Sequence, residues 1–190
     1  MDFITDQDKT FENTDYAGKR VGGREFQDCL FRKCDFSDSD FSGCRFIDCL
    51  FESCNLSMMK CRGTTFNDVS FKQSKILGMN FSECGDFSFV VGFDNCVLDY
   101  SSFMGRKMTK TKFVKCSLKE VNFTQTLLSG SVFGESDLSG AVFNETDLVS
   151  ADFSTALHFS IDPSLNNIKK AMFSMEGLPG LLTRYQIKIV

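Results

Sequence analysis

No tryptophan occurs in this sequence, proline occurs only at Pro163 and Pro179, and the single histidine is His158. One histidine with no accompanying Ser, Cys or carboxylate cluster is not a catalytic constellation. None of the nine cysteines stands in a CxxC or Cys/His spacing suited to zinc. No apolar run approaches the roughly 20 residues that a membrane helix needs. The first residues, MDFITDQDKTFENTD, are acidic and lack the apolar stretch of a secretory signal. The expected compartment is therefore the cytoplasm, and the cysteines are expected as thiols.

Phenylalanine is what the sequence has in excess, at 22 of 190 residues. It recurs every fifth residue: of the twelve positions from Phe26 to Phe81 at this spacing, nine are Phe, and the others are Leu56, Cys61 and Ile76. A second series runs from Phe93 through Leu98, Phe103 and Met108 to Phe153, apolar at every step. A period of five is neither the 3.6 of a helix nor the 2.0 of a strand. Two places before most centres stands a small residue, often Cys, Ser or Thr. The residue just before the centre is often Asp or Asn, and the one just after is often Ser or Thr.

One large inward residue in five implies a chain that turns a corner every five residues. A unit so short cannot bury its own face, so coils must stack on coils and pair as parallel strands do, about 4.8 Å apart. Cys34 and Cys54 lie twenty residues apart and so should stack, at a spacing that would also admit a disulfide. Free thiols acting as small apolar groups are the preferred reading. His158 falls on the beat after Phe153 and is read as structural. Between Phe81 and Phe93 the beat slips by two residues, predicting a bulge or bend within 84–92 with Gly85 or Gly92 relieving strain.

The run SDLSG-AVFNE-TDLVS-ADFST (Ser136 to Thr155) resembles the pentapeptide repeat, and the resemblance extends over roughly residues 11 to 178. It implies an all-β solenoid, a right-handed quadrilateral β-helix with four pentapeptides per coil. Residues 1–178 would form the β-helix. Residues 179–190 would form a short helix and an alternating strand that cap it.

Charge is segregated along the chain. Residues 60–119 carry 10 bases against 5 acids, whereas residues 120–168 carry 7 acids and no Lys or Arg. The basic belt comprises Arg106, Lys107, Lys110, Lys112, Lys115 and Lys119; it lacks exposed aromatics, so direct nucleic-acid binding is not expected. Within the family the resemblance points to the Qnr-type quinolone-resistance group, dimeric non-enzymatic rods that imitate DNA and bind DNA gyrase and topoisomerase IV. On that reading the partner-binding acids are Glu135, Asp137, Glu145, Asp147 and Asp152, and the homodimer forms through Leu181, Leu182, Tyr185, Ile187 and Ile189. The alternative reading is an interaction scaffold for an unidentified protein. Neither implies an enzyme, a cofactor, a metal, a small-molecule substrate or a membrane.

Overall fold

In a computed structural model the chain is described over residues 3–86 and 88–189. Twelve short strands form one sheet: β1 (Ile4–Gln7), β2 (Thr10–Glu12), β3 (Arg24–Gln27), β4 (Leu30–Arg32), β5 (Arg45–Ile47), β6 (Leu50–Glu52), β7 (Thr65–Lys72), β8 (Phe89–Asp94), β9 (Lys112–Val114), β10 (Val132–Gly134), β11 (Asp152–Phe153) and β12 (Met172–Phe173). The path β1-β3-β5-β7-β8-β9-β10-β11-β12 is nine strands deep. Every pairing is parallel, and most join residues twenty apart, such as Phe26↔Phe46 and Phe113↔Phe133. Isolated parallel bridges carry the stacking on the other sides, as in Asp35↔Asn55 and Asn122↔Val142. This is the four-sided solenoid expected, about 38 Å long at about 4.8 Å per step. Among the described residues no helix is long and apolar enough to cross a membrane.

The inward positions form registered columns. On one wall Phe11, Phe31, Phe51, Phe71, Phe93, Phe113, Phe133, Phe153 and Phe173 stack with ring planes within 17° of parallel and centroids 4.6–5.4 Å apart. On the opposite wall Phe81, Phe103, Phe123 and Phe143 stack likewise. The two remaining walls of the C-terminal half carry Leu and Met, as Leu128, Leu138, Leu148 and Met108, all buried. The alternation of Phe and Leu every ten residues is thus an alternation of walls.

The small inward position has a polar task. Buried Thr126, Ser131, Ser136 and Thr146 each donate their hydroxyl to the carbonyl of the centre residue 23 places earlier, one coil below. Cys34, Cys49, Cys54 and Cys96 place their thiols on equivalent carbonyls at 3.3–3.4 Å. A buried carbonyl with spare capacity gains a donor, so Ser, Thr and Cys recur where Ala would also fit. All nine cysteines are free and buried. Burial pushes the thiols of Cys49, Cys54 and Cys116 up to about 12 and that of Cys96 up to about 11.

The corners explain the rest of the repeat. The residue two after the centre often has a left-handed backbone, whether Gly43 (φ 72°), Asp28 (φ 53°) or Lys115 (φ 53°). The Asp or Asn before the centre closes the same corner. Asp35, Asp40, Asn55 and Asp152 each accept the backbone N–H of the residue two further on, at 2.8–3.2 Å. These turns fix the beat of five.

The slip in the beat takes a definite form, and two expectations, for Arg106 and His158, need correction. The slip between Phe81 and Phe93 is taken up by a 3-10 turn at Phe81–Glu83 and by a bulge where Phe66 pairs with Phe89 but Val69 with Val91. There Gly85 is closely approached: a β-carbon would come to 3.3 Å from the Gly63 carbonyl oxygen, a tight contact with backbone. Gly92 has open space around it, and Phe87 lies outside the described residues. Arg106 does not belong to a surface belt. It is 5% exposed, and its guanidinium donates to the carbonyls of Cys84 and Gly85 at 3.0 and 2.8 Å. His158 does not face the core: its side chain is 67% exposed, its φ is +55°, and Phe159 and Ile161 are buried in its place. The beat skips there and returns one coil on, where Phe173 pairs with Phe153.

The C-terminal segment differs in detail from a helix and a strand. Two 3-10 turns, Leu178–Leu181 and Thr183–Tyr185, meet at Leu182, and residues 187–189 pair with nothing described. The turns fold back over Phe159. Ile161 N–H donates to Gly180 at 2.9 Å, and a side chain at Gly180 would collide with the Phe159 carbonyl. Leu181 packs against the core. A strand needs a ladder partner, and a single chain offers 187–189 none.

Two outcomes are expected. Phe113→Ala, in the middle of the stacked column, should cost about 3–5 kcal/mol and Ser131→Ala about 1 kcal/mol, both read from urea midpoints. A thiol reagent without denaturant should label few of the nine cysteines; prompt labelling of most of them would contradict their burial.

Candidate functional site

The coils formed by residues 120–168 carry the acids. Asp137, Asp147 and Asp152 precede the centres Leu138, Leu148 and Phe153, so they lie on three different walls. Glu135 and Glu145 occupy left-handed corners, with φ of 52° at both. The five predicted partner-binding acids therefore do not share one face. They are spread around the rod, and residues 120–168 themselves supply no Lys or Arg.

Their local bonding divides them. Asp137 accepts from Ser139 Oγ at 2.6 Å and Ser139 N–H at 3.1 Å, with His158 Nδ1 at 2.9 Å and Lys119 Nζ at 3.4 Å. Partial burial opposes its ionisation, but these hydrogen bonds outweigh it and hold the carboxyl well below the usual carboxylate range. Glu135 lies 4.0 Å from Lys115 Nζ. Lys115 and Lys119, from the basic belt, thus reach into the edge of the acidic coils. Glu145, Asp147 and Asp152 meet only neutral groups among the described residues. Glu145 accepts from Gln125 at 2.8 Å, Asp147 from Ser129 Oγ at 2.6 Å, and Asp152 from Ser154 N–H at 2.9 Å. No Lys or Arg among the described residues comes within 4.0 Å of their carboxylates.

Sequence reasoning missed that Asp137, Asp147 and Asp152 are also turn formers, each accepting the N–H two residues on. The signal was present in the recurrent Asp before the centre.

Beyond the acidic coils lies the C-terminal end. Leu181 is turned to its own core, whereas Leu182, Tyr185, Ile187 and Ile189 are exposed, with Met175 and Leu178 beside them in sequence. Arg184 ties this segment to the last coil through Asp162 at 3.0 Å. Of the five predicted dimer residues, four are free to meet a partner and one is already committed.

A family model described as the pentapeptide repeat region matches residues 24–90 and 86–153. No protein of curated function matches by sequence. Solved structures do match. Trypsin-treated QnrB1, a plasmid-mediated fluoroquinolone resistance protein, aligns with a TM-score of 0.56 and 20% identity, covering 99% of this chain and 98% of that one. HetL, a pentapeptide repeat protein involved in heterocyst differentiation regulation in the cyanobacterium Nostoc sp. strain PCC 7120, aligns with a TM-score of 0.56 and 11% identity, over 88% of this chain and 86% of that one. At such identities the likeness is one of fold. With the family model covering most of its coils and the four-sided ladder present in each, the chain belongs to the pentapeptide repeat proteins.

Proposed function

We propose that this is a non-enzymatic, cytoplasmic protein that presents its acidic coils to a DNA-binding protein in place of a duplex, with DNA gyrase and topoisomerase IV as the partners. One observation carries the reading: the acids of residues 120–168 lie on several walls of the rod, and this segment itself carries no Lys or Arg. A groove evolved to hold duplex DNA is lined with positive charge, and it accepts a narrow rod of the opposite sign by the same long-range attraction. The fold likeness to a fluoroquinolone resistance protein is consistent with this use. Within the acidic ring, Glu145, Asp147 and Asp152 supply the charge a partner meets, because Glu135 and Asp137 already have bases beside them.

The second reading is a scaffold for another protein. It is favoured by the pairing of Lys115 and Lys119 with Glu135 and Asp137, which breaks the acidic surface at one edge. Under either reading the active form is a homodimer through the exposed apolar end. Leu182, Tyr185, Ile187 and Ile189 would lose their contact with water, and 187–189 would gain a strand partner from the second copy.

A gyrase supercoiling assay with and without ciprofloxacin separates the two. Glu145→Gln with Asp147→Asn and Asp152→Asn removes three charges, and Asn retains the turn bond. This variant should lose its effect on gyrase, while Asp35→Asn with Asp40→Asn should keep it. Equal loss in both, or no effect of the wild type, favours the scaffold. For the dimer, Leu182→Asp with Ile187→Asp should halve the mass by light scattering. A wild type that stays at 21.4 kDa at high concentration would contradict it.

A further inference from the structure

The slip in the beat leaves a hollow in the rod, and the groups around it have no part in the reading above. Between β8 and the next coil lies a cavity of about 500 Å³, within the size range of small-molecule sites. Its lining includes Phe89 and Val91, both buried, and Arg106, Lys107, Lys110 and Thr111.

Arg106 is the unusual member. It takes the inward position that elsewhere in this half of the chain holds Ser, Thr, Cys, Val or Ala, and its guanidinium lies 4.4 Å from the centroid of the Phe89 ring. Its two terminal nitrogens are occupied by the carbonyls of Cys84 and Gly85. Its Nε is buried, and no described group accepts from it. A buried cation with, among the described residues, a single solvent-facing acid within 4.0 Å is a costly arrangement in a protein interior. That neighbour is Asp86, whose fully exposed carboxylate leans on the guanidinium at 3.3 Å. Lys107 and Lys110 add two further positive charges, and no described carboxylate comes within 4.0 Å of either. The hollow therefore combines three positive charges with a wall of aromatic and aliphatic carbon, and one solvent-facing carboxylate stands where an anion would sit.

We propose that this cavity binds a small phosphate monoester. The phosphate would lie between Arg106, Lys107 and Lys110, displacing Asp86, and the organic body would rest on Phe89 and Val91. The proposal is independent of the gyrase reading, since none of these residues belongs to the acidic coils or to the C-terminal end.

Calorimetric titration of the full chain with phenyl phosphate tests it. Saturable binding with a Kd of about 1 mM or tighter is expected, weakening as salt is raised. Inorganic phosphate should bind more weakly and phenol not at all. Lys107→Gln with Lys110→Gln should weaken phenyl phosphate at least tenfold, and Asp86→Asn should strengthen it. The pair Lys72→Gln with Lys112→Gln, outside the cavity, should change nothing. No saturable binding, or an equal loss in the two lysine pairs, overturns the proposal. So does binding of a single-stranded oligonucleotide that exceeds phenyl phosphate and depends on Lys112, because that result describes a diffuse polyanion strip and not a cavity.

Discussion

The whole molecule depends on one coil sitting directly above another. Parallel ladders require it, because along the walls backbone N–H groups find their carbonyls in the neighbouring coil, while only the corners close within a coil, as Ser131 N–H does on the Leu128 carbonyl. The stacked phenylalanines enforce it. A ring at Phe113 that meets Phe93 at 5.2 Å and Phe133 at 5.1 Å, with planes 7° apart on both sides, leaves no room for a register error. Offset aromatic contacts of this kind add stability beyond the area they bury. They also transmit order along the axis, since each ring is both floor and ceiling.

The same regularity shapes the surface. Once every inward position is fixed at a multiple of five, the outward positions are also in columns, and charge of one sign in consecutive repeats becomes a band around the rod. Asp137, Asp147 and Asp152 show how economically this is done, because each closes a corner through the N–H two residues ahead while presenting its charge outward. The protein thus displays a dense acidic band on a rigid scaffold without a loop that must be ordered on binding. A rigid binder loses little conformational freedom in its complex.

The fold was legible because a period of five has one geometric explanation once a buried core is required, and Phe26 through Phe153 mark it at nearly every step. The corners were legible as composition but not as mechanism: nothing in Asp-Phe-Ser names the left-handed residue that follows. Arg106 looked like one of a run of surface bases, although it stands two before the centre Met108, at the inward position usually held by a small residue. His158 sat on the beat by counting, yet Phe159 and Ile161 take the inward places there, and the beat is back by Phe173. The acids were found as a block of sequence, but their spread over the walls, and the neutralisation of two of them by Lys115 and Lys119, depend on coil-to-coil neighbours twenty residues apart or nearly so.

The central claim is that the acidic coils take the place of duplex DNA. The most direct measurement is competition: gyrase is held with a fluorescent linear duplex, and this protein is titrated in while bound duplex is followed by anisotropy. Displacement to completion is predicted, with a midpoint that moves to higher protein concentration as salt is raised. A ternary complex in which duplex and protein are bound together, or displacement that ignores salt, would contradict the account.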